Sequence, residues 1–296
     1  MYNGVVNVRK EKGMTSFAVV ARLRHVFGQK KIGHTGTLDP DAEGVLPICL
    51  GKATRLVETL TGGTKTYEAE ITLGIITDTQ DTTGKILEEY PVDVTEEELR
   101  EAILSFEGKG EQLPPMYSAV WVGGRRLYEL ARKGIEVERP TRPVEFSDME
   151  VISVDLPKAR FRVTCTRGAY IRTLCEDIGR KLGCGAAMSA LLRTRVDDFR
   201  LADSLTIDEI ARRMERGERD FILPIDYFYR ELPRFEAPEE FSAALRNGNA
   251  IAPATAKELE DGAEFRMYDA SGDFIGIYKR DGRLLKPVKM FCEVAQ

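Results

Sequence analysis

Residues 30–47 read KKIGHTGTLDPDAEGVLP. Three glycines, two prolines, three acids and one of the chain's two histidines crowd into this stretch, which has neither helical nor strand periodicity. Gly33, Gly36 and Gly44 admit backbone geometries closed to other residues, and Pro40 fixes φ directly after Asp39. A loop of this kind holds a carboxylate in one place. Asp39, between Leu38 and Pro40, is therefore a candidate nucleophile or general base. The same local composition also suits an Asx turn with no further role.

Working outward, the 296 residues are 43% hydrophobic and 31% charged, an ordinary globular balance. The length favours one main domain plus a smaller one. No apolar run reaches the length of a membrane span, and the N-terminus lacks the apolar core of a signal peptide, so a cytoplasmic protein with no membrane partner is expected. The five cysteines are scattered, never in a C-x-x-C pair, which predicts reduced, buried thiols and no metal centre. The net charge is -5, but it is unevenly spread. Between Lys158 and Arg200 stand ten basic residues against four acidic ones, whereas Asp78 to Glu107 is dominated by acids. Such segregation suits a polyanion whatever the total charge. It equally suits a solvated charged surface.

Strands are predicted over residues 4–10, 44–51 and 65–77, the last with Tyr67, Ala69, Ile71 and Leu73 on one side. Ser16 is placed to cap a helix over 17–27, with Val19, Val20, Leu23 and Phe27 on one face. Residues 53–60 read as helical and 83–90 as a hairpin partner of the 65–77 strand. Thr95 and Glu98 make a capping box for a helix to about Phe106. Residues 116–122 read as a strand, Gly123-Gly124 as a turn, and 125–134 as a basic helix. Paired strands over 144–156 and 160–168, a helix over 169–183, a mixed strand over 187–199 and a helix over 206–218 follow. From about residue 238, strand runs broken by S-G-D and D-G turns predict a small β-rich domain. No regular βαβ alternation is present, so the expected class is α+β.

The order of residues in GHTGTLDPDAEGVLP resembles the catalytic motif of the pseudouridine synthases, specifically the TruB family. Four further stretches match that family in the same order: GMTS at 13–16, KTYEAEITLG at 65–74, PPMYSAVWVGGRRLYELARKGIEVER at 114–139, and RGAYIRTLCEDIGRKLGCGA at 167–186. The resemblance spans roughly residues 3 to 230. It implies a pseudouridine synthase fold, with a mixed, mainly antiparallel central sheet flanked by helices in residues 1–237, and a PUA-like RNA-binding domain in 238–296. It implies isomerisation of uridine-55 in the T loop of tRNA, without a cofactor, metal or guide RNA, by a monomer. Asp39 stands at the place of the catalytic aspartate, Tyr67 at that of the tyrosine stacking on the flipped uracil, and Arg172 at that of the aspartate-pairing arginine. His34 matches the histidine that packs into the T loop as the base leaves. Tyr170 matches the tyrosine of YIRT, and Leu191 the leucine lining the uracil pocket. Two positions depart from the family: Glu11 replaces its proline, and Leu192 replaces the first arginine of its Leu-Arg-Arg.

The residue types suit the chemistry. Uridine and pseudouridine differ only in which base atom, N1 or C5, is bonded to C1′, so no group or electron pair is imported. The base must leave its stack, which requires an aromatic platform and a side chain for the vacancy. Tyr67 and His34 are of those types. Asp39 can engage the anomeric carbon or C6, and an ionised carboxylate in a dry pocket needs a cation such as Arg172. Three rivals use the same residues: a noncatalytic tRNA-binding or folding protein, an N-glycoside hydrolase releasing uracil, and a guide-dependent synthase.

Overall fold

The computed structural model describes residues 1–292. The chain opens with β1 (Gly4–Lys10), α1 (Ser16–Phe27), β2 (Ile32–His34) and β3 (Glu43–Leu50), then α2 (Val57–Thr61) and β4 (Lys65–Leu73). A small hairpin, β5 (Ile75–Thr77) and β6 (Ile86–Glu89), leads to α3 (Glu96–Leu104) and β7 (Gly108–Gln112). A second hairpin, β8 (Trp121–Val122) and β9 (Arg125–Arg126), carries the short α4 (Leu127–Ala131). Then come β10 (Arg142–Asp155), β11 (Lys158–Cys165), α5 (Ile171–Leu182), β12 (Ala186–Val196), β13 (Phe199–Arg200), α6 (Ile207–Glu215) and β14 (Ile222–Leu223). The remainder holds β15 (Arg234–Glu236), α7 (Ser242–Arg246), β16 (Glu264–Tyr268), β17 (Phe274–Asp281) and β18 (Leu284–Met290).

The main sheet runs β14-β1-β3-β12-β4-β11-β10-β7, with β13 beside β12 and β2 beside β3. Its pairings are antiparallel except at the β3–β12 seam, where Leu192 faces Glu43 and Arg193 faces Gly44. β4 alternates as expected, burying Tyr67, Ala69, Ile71 and Leu73. These residues join Phe161 of β11, Leu99 and Ile103 of α3, and Leu174 and Ile178 of α5 in the largest core cluster. α1 and α6 pack with β1 and β3 in a second cluster. β3 is buried on both faces, which explains its unbroken apolar run VLPICL.

A four-stranded sheet, β15-β16-β17-β18, forms the second body. It takes in Arg234–Glu236, ahead of residue 238. It has its own core around Phe265, Met267 and Tyr278. Phe274 and Phe291 of this body reach instead into a cluster with Val5, Cys49 and Leu56 of the main body. Tyr268 donates to Asp226 Oδ2 at 2.6 Å across the same junction. All five cysteines are buried free thiols: Cys49 in the junction cluster, Cys165, Cys175 and Cys184 in the main core, and Cys292 in the second body.

Four local expectations are corrected. Ser16 lies inside α1, whose cap is Thr15, accepting from the Ala18 N–H at 3.0 Å. The 65–77 strand breaks at Gly74 into β4 and β5, and its expected hairpin partner, narrowed to Ile86–Glu89, pairs with the β5 end alone. The 116–122 strand shrinks to two residues and the 125–134 helix to five, because this segment pairs only with itself. The loop of 30–47 is shorter than its composition suggests, since β2 and β3 occupy both of its ends.

Candidate active site

What remains of that loop is 35–42, and it is clamped along its length. Ser16 Oγ accepts the Leu38 N–H at 2.9 Å and lies 3.1 Å from the Leu38 carbonyl, to which it donates. The Gly13 N–H donates to the Pro40 carbonyl at 2.9 Å, and Ala42 N–H closes a turn onto the Asp39 carbonyl at 3.1 Å. Lys10, at the end of β1, is fully buried. Its Nζ donates to the carbonyls of Glu11 (3.1 Å), Pro40 (3.0 Å) and Ala42 (2.5 Å), three acceptors for three ammonium protons. Burial lowers the Lys10 pKa to about 8, against the pull of Asp39, Asp41 and Glu43. On the far side, buried Arg193 donates from Nε to the Val45 carbonyl at 2.7 Å and from Nη2 to the Gly36 carbonyl at 3.4 Å.

This frame presents Asp39. Its Oδ2 lies 3.0 Å from Arg172 Nε, the arginine side chain being 6% exposed and the carboxylate 40%. The expected dry pocket is therefore wrong for the carboxylate in the free chain: the cation is buried and Asp39 opens to solvent. Arg172 is held by three segments at once. Nη1 donates to the Thr79 carbonyl at 2.9 Å and Nη2 to the Tyr117 carbonyl at 2.8 Å, while Asp81 Oδ2 stands 3.9 Å from Nη1. The acid-rich stretch from Asp78 thus lends Asp81 to the same guanidinium.

Arg172 lies in the first turn of α5, whose N-cap is Tyr170. The Tyr170 backbone is fixed by Gln112, which accepts its N–H at 2.9 Å and donates to its carbonyl at 3.2 Å. Tyr67 is buried in the core cluster with Leu38 and Ile171, and Leu191 packs against it. In register, Arg193 faces Tyr67 across β12 and β4. Burial pushes the Tyr67 hydroxyl above its ordinary value, and the Arg193 charge draws it partly back, so at neutral pH it is a phenol. His34 ends β2, and its Nδ1 accepts the Gly36 N–H at 3.4 Å. Burial and Arg193 lower its pKa, favouring the neutral imidazole.

Asp39 and Arg172 thus pair where α5 meets the loop. Tyr67 and Leu191 belong to the core cluster that holds Leu38 and Ile171, the residues directly before Asp39 and Arg172 in sequence. Tyr170 caps α5 two residues before Arg172, and His34 joins the loop through Gly36. Lys10, Asp81 and Arg193 escaped the sequence reading. Arg193 is the retained arginine beside Leu192, so the departure at 192 leaves the loop contact in place. The arrangement offers an exposed carboxylate backed by a buried cation, a desolvated phenol and a neutral imidazole. Among the described residues, no group of three or more His, Cys, Asp or Glu side chains converges as a metal site.

The basic stretch from Lys158 to Arg200 is less available than its composition implies. Lys158 pairs with Glu70 at 3.1 Å, Arg160 with Glu68 at 3.6 Å, and Arg162 with Glu68 at 3.0 Å and Glu150 at 2.6 Å. These cross-strand pairs neutralise the outer face of β4 and β11. Arg125, Arg126, Arg132, Lys133 and Arg167 have no ion-pair partner among the described residues. Trp121 is exposed, with the Arg126 guanidinium 4.7 Å over its ring.

Residues 24–171 match the model of the TruB family pseudouridylate synthase N-terminal domain. Residues 172–229 match that of the tRNA pseudouridylate synthase B C-terminal domain, a match lying wholly within the main body. Proteins named tRNA pseudouridine synthase B from Bacillus pumilus and Bacillus subtilis are 43% and 41% identical to the chain, each alignment covering 100% of both. One from Alkaliphilus oremlandii is 48% identical over 84% of the chain and 83% of that protein. Among solved structures, a chain of a Cbf5-Nop10-Gar1 complex superposes with a TM-score of 0.69 at 27% identity, covering 98% of this chain and 85% of that one.

Proposed function

Since the chain belongs to the TruB family of pseudouridylate synthases, we propose that it converts uridine-55 in the T loop of tRNA to pseudouridine, acting as a monomer without a guide RNA or cofactor. The observation that carries this reading is the 3.0 Å pairing of a half-exposed Asp39 with a buried Arg172, beside Tyr67 and Leu191. The uridine leaves its stack, and its base seats against Tyr67, with Tyr170 and Leu191 closing the pocket. His34, neutral and at the rim, occupies the space left in the T loop. Asp39 engages C1′ or C6 as the N1–C1′ bond breaks. The base turns, C5 bonds to C1′ in place of N1, and the proton that leaves C5 is matched by one taken up at N1, so the product is an isomer of the substrate. Arg172 pairs with the carboxylate and keeps it aimed. Tyr67 carries a proton at its hydroxyl, and its raised pKa suits a relay better than a free base.

For affinity we look to Arg125, Arg126, Arg132, Lys133 and Arg167, and to Lys279 and Arg283 on the second sheet. We place the division between catalytic and RNA-binding parts just before β15, slightly ahead of residue 238.

The test is incubation of the purified protein with an unmodified tRNA transcript, followed by mapping of pseudouridine. Conversion confined to position 55 is expected. Free uracil would identify a hydrolase, and tight binding without conversion a noncatalytic RNA-binding protein. Asp39→Asn is expected to bind tRNA as the wild type does but to lose at least about 1000-fold in single-turnover rate. Turnover within tenfold of wild type would remove Asp39 from the chemistry.

A further inference from the structure

The segment that supplies the Thr79 carbonyl and Asp81 to Arg172 has an unusual backbone. Gln80 adopts φ +63, a region seldom occupied by residues other than glycine, asparagine and aspartate. Such a conformation persists where its surroundings fix it. Here the surroundings are specific. The Gln80 backbone accepts the Met188 N–H at 3.1 Å, joining the segment to β12. Its side chain reaches the opposite way, to α5. Thr173 Oγ1 donates to Gln80 Oε1 at 2.9 Å, and Gln80 Nε2 donates to the Glu176 carboxylate. Thr173 is the residue after Arg172, and Glu176 lies one turn further along the same helix.

The geometry closes a ring. Arg172 reaches from α5 to Thr79 and Asp81, and Gln80, lying between those two, reaches back to α5 at Thr173 and Glu176. We propose that Gln80 and Glu176 are positioning residues that brace the 79–81 segment against α5, and so set the angle at which Arg172 holds Asp39. This rests on the reading of Asp39 and Arg172 given above. Neither brace residue touches the carboxylate. Their contact lies on a solvent-facing cleft lined also by Glu111, Leu113, Arg139, Asp177 and Arg180.

The side chains allow an exchange of roles. Gln80→Glu sets two carboxylates face to face and removes the donor. Adding Glu176→Gln restores a donor–acceptor pair with the partners swapped, and Thr173 still finds an acceptor at position 80. The charges around the pair are Arg180 and Asp177 on α5, and Arg139 and Glu111 on the cleft wall. With these unchanged, the facing carboxylates of Gln80→Glu share a proton as pH falls.

The experiment measures single-turnover conversion of a tRNA transcript at saturating enzyme, with tRNA affinity and the urea midpoint measured in parallel. Wild-type activity comes first: its absence would overturn the functional reading, not the brace. Given an active wild type, Gln80→Glu is expected to be about ten- to a hundredfold slower at pH 8, with tRNA affinity unchanged. It should regain rate toward pH 6. The Gln80→Glu/Glu176→Gln double variant should return to within about threefold of wild type at pH 8. Gln80→Gly relieves the backbone while deleting the side chain, so it guards against a folding defect. It should keep the urea midpoint and still lose rate. Full activity of Gln80→Glu or Gln80→Gly, or failure of the double variant to recover, would overturn the brace.

Discussion

Arg172 and Lys10 both bring charge to residues 39–42 of one short loop, and the two are held differently. Arg172→Met removes the partner of Asp39 and leaves the Thr79 and Tyr117 carbonyls without their donor. It is expected to cost about 1–3 kcal/mol of stability for each stranded carbonyl and at least about 100-fold in single-turnover rate. Arg180, on the same helix but 68% exposed and paired with Asp177 at 2.8 Å and with Glu176 at 3.5 Å, should tolerate the same change within about threefold, because Gln80 still holds Glu176. Equal losses in rapid-quench measurements would show that the Asp39 pairing does not matter. Lys10 gives a pH signature. Its pKa is 10.5 in the unfolded chain and about 8 in the fold, because burial penalises the ammonium. Between these values the unfolded chain binds more protons, so stability rises with pH. Relative to Lys10→Met, the wild type should gain on the order of 3 kcal/mol from below pH 8 to pH 10.5. Urea midpoints of the two proteins across that range check the sign, and a constant difference would refute it.

The parallel seam between β3 and β12 delivers the loop onto Arg193, and Gly44 makes the seam possible. A Cβ at Gly44 would stand 2.1 Å from the Arg193 carbonyl oxygen, and its φ of +110 strains any side chain. Gly44→Ala is therefore expected to destabilise by at least about 3 kcal/mol, read as a lowered urea midpoint at unchanged slope. A midpoint like that of wild type would mean that the strands separate freely there. The seam also shows what the sequence could and could not disclose. β4 and α5 were legible because their apolar residues repeat at the period of one buried face. Asp39 stood out as a candidate through the order of residues around it, which resembles a family motif, since glycine and proline alone suit an Asx turn as well. Arg193 and Lys10 were not, since a charged residue on a strand normally faces water, and both are buried only because carbonyls distant in sequence converge on them. The 116–134 segment has strand and helix propensity, but no neighbouring sheet accepts it, so local preference overstated its elements. The Asp81 contribution was hidden for a related reason: only the turn at Gln80 aims it at Arg172.

Across the whole molecule, charge and cohesion are distributed in ways that composition conceals. Binding of tRNA should depend on salt, with a log–log slope of about -5 to -6 from the seven cations assigned to affinity. Arg132→Ala should flatten it by about one, whereas Arg160→Ala, already paired with Glu68, should leave it unchanged. Equal effects of the two in filter-binding titrations would contradict the assignment of the open face. Deleting residues from 238 onward is a poor probe of the second sheet, because it strands β15 and strips Phe274 and Phe291 from the junction cluster. The thiols offer a gentler probe. Burial raises the pKa of each, to about 12 at Cys49 and Cys165, so alkylation in native buffer must await a local opening. Each core cluster around the junction owns its own cysteine. Detachment of the second sheet would uncover Cys292 and Cys49 together while Cys165 and Cys175 stay shielded, whereas complete unfolding would label all five at one rate. The chain thus carries a built-in set of reporters that separate the peeling of one body from the melting of the whole, with no residue substituted.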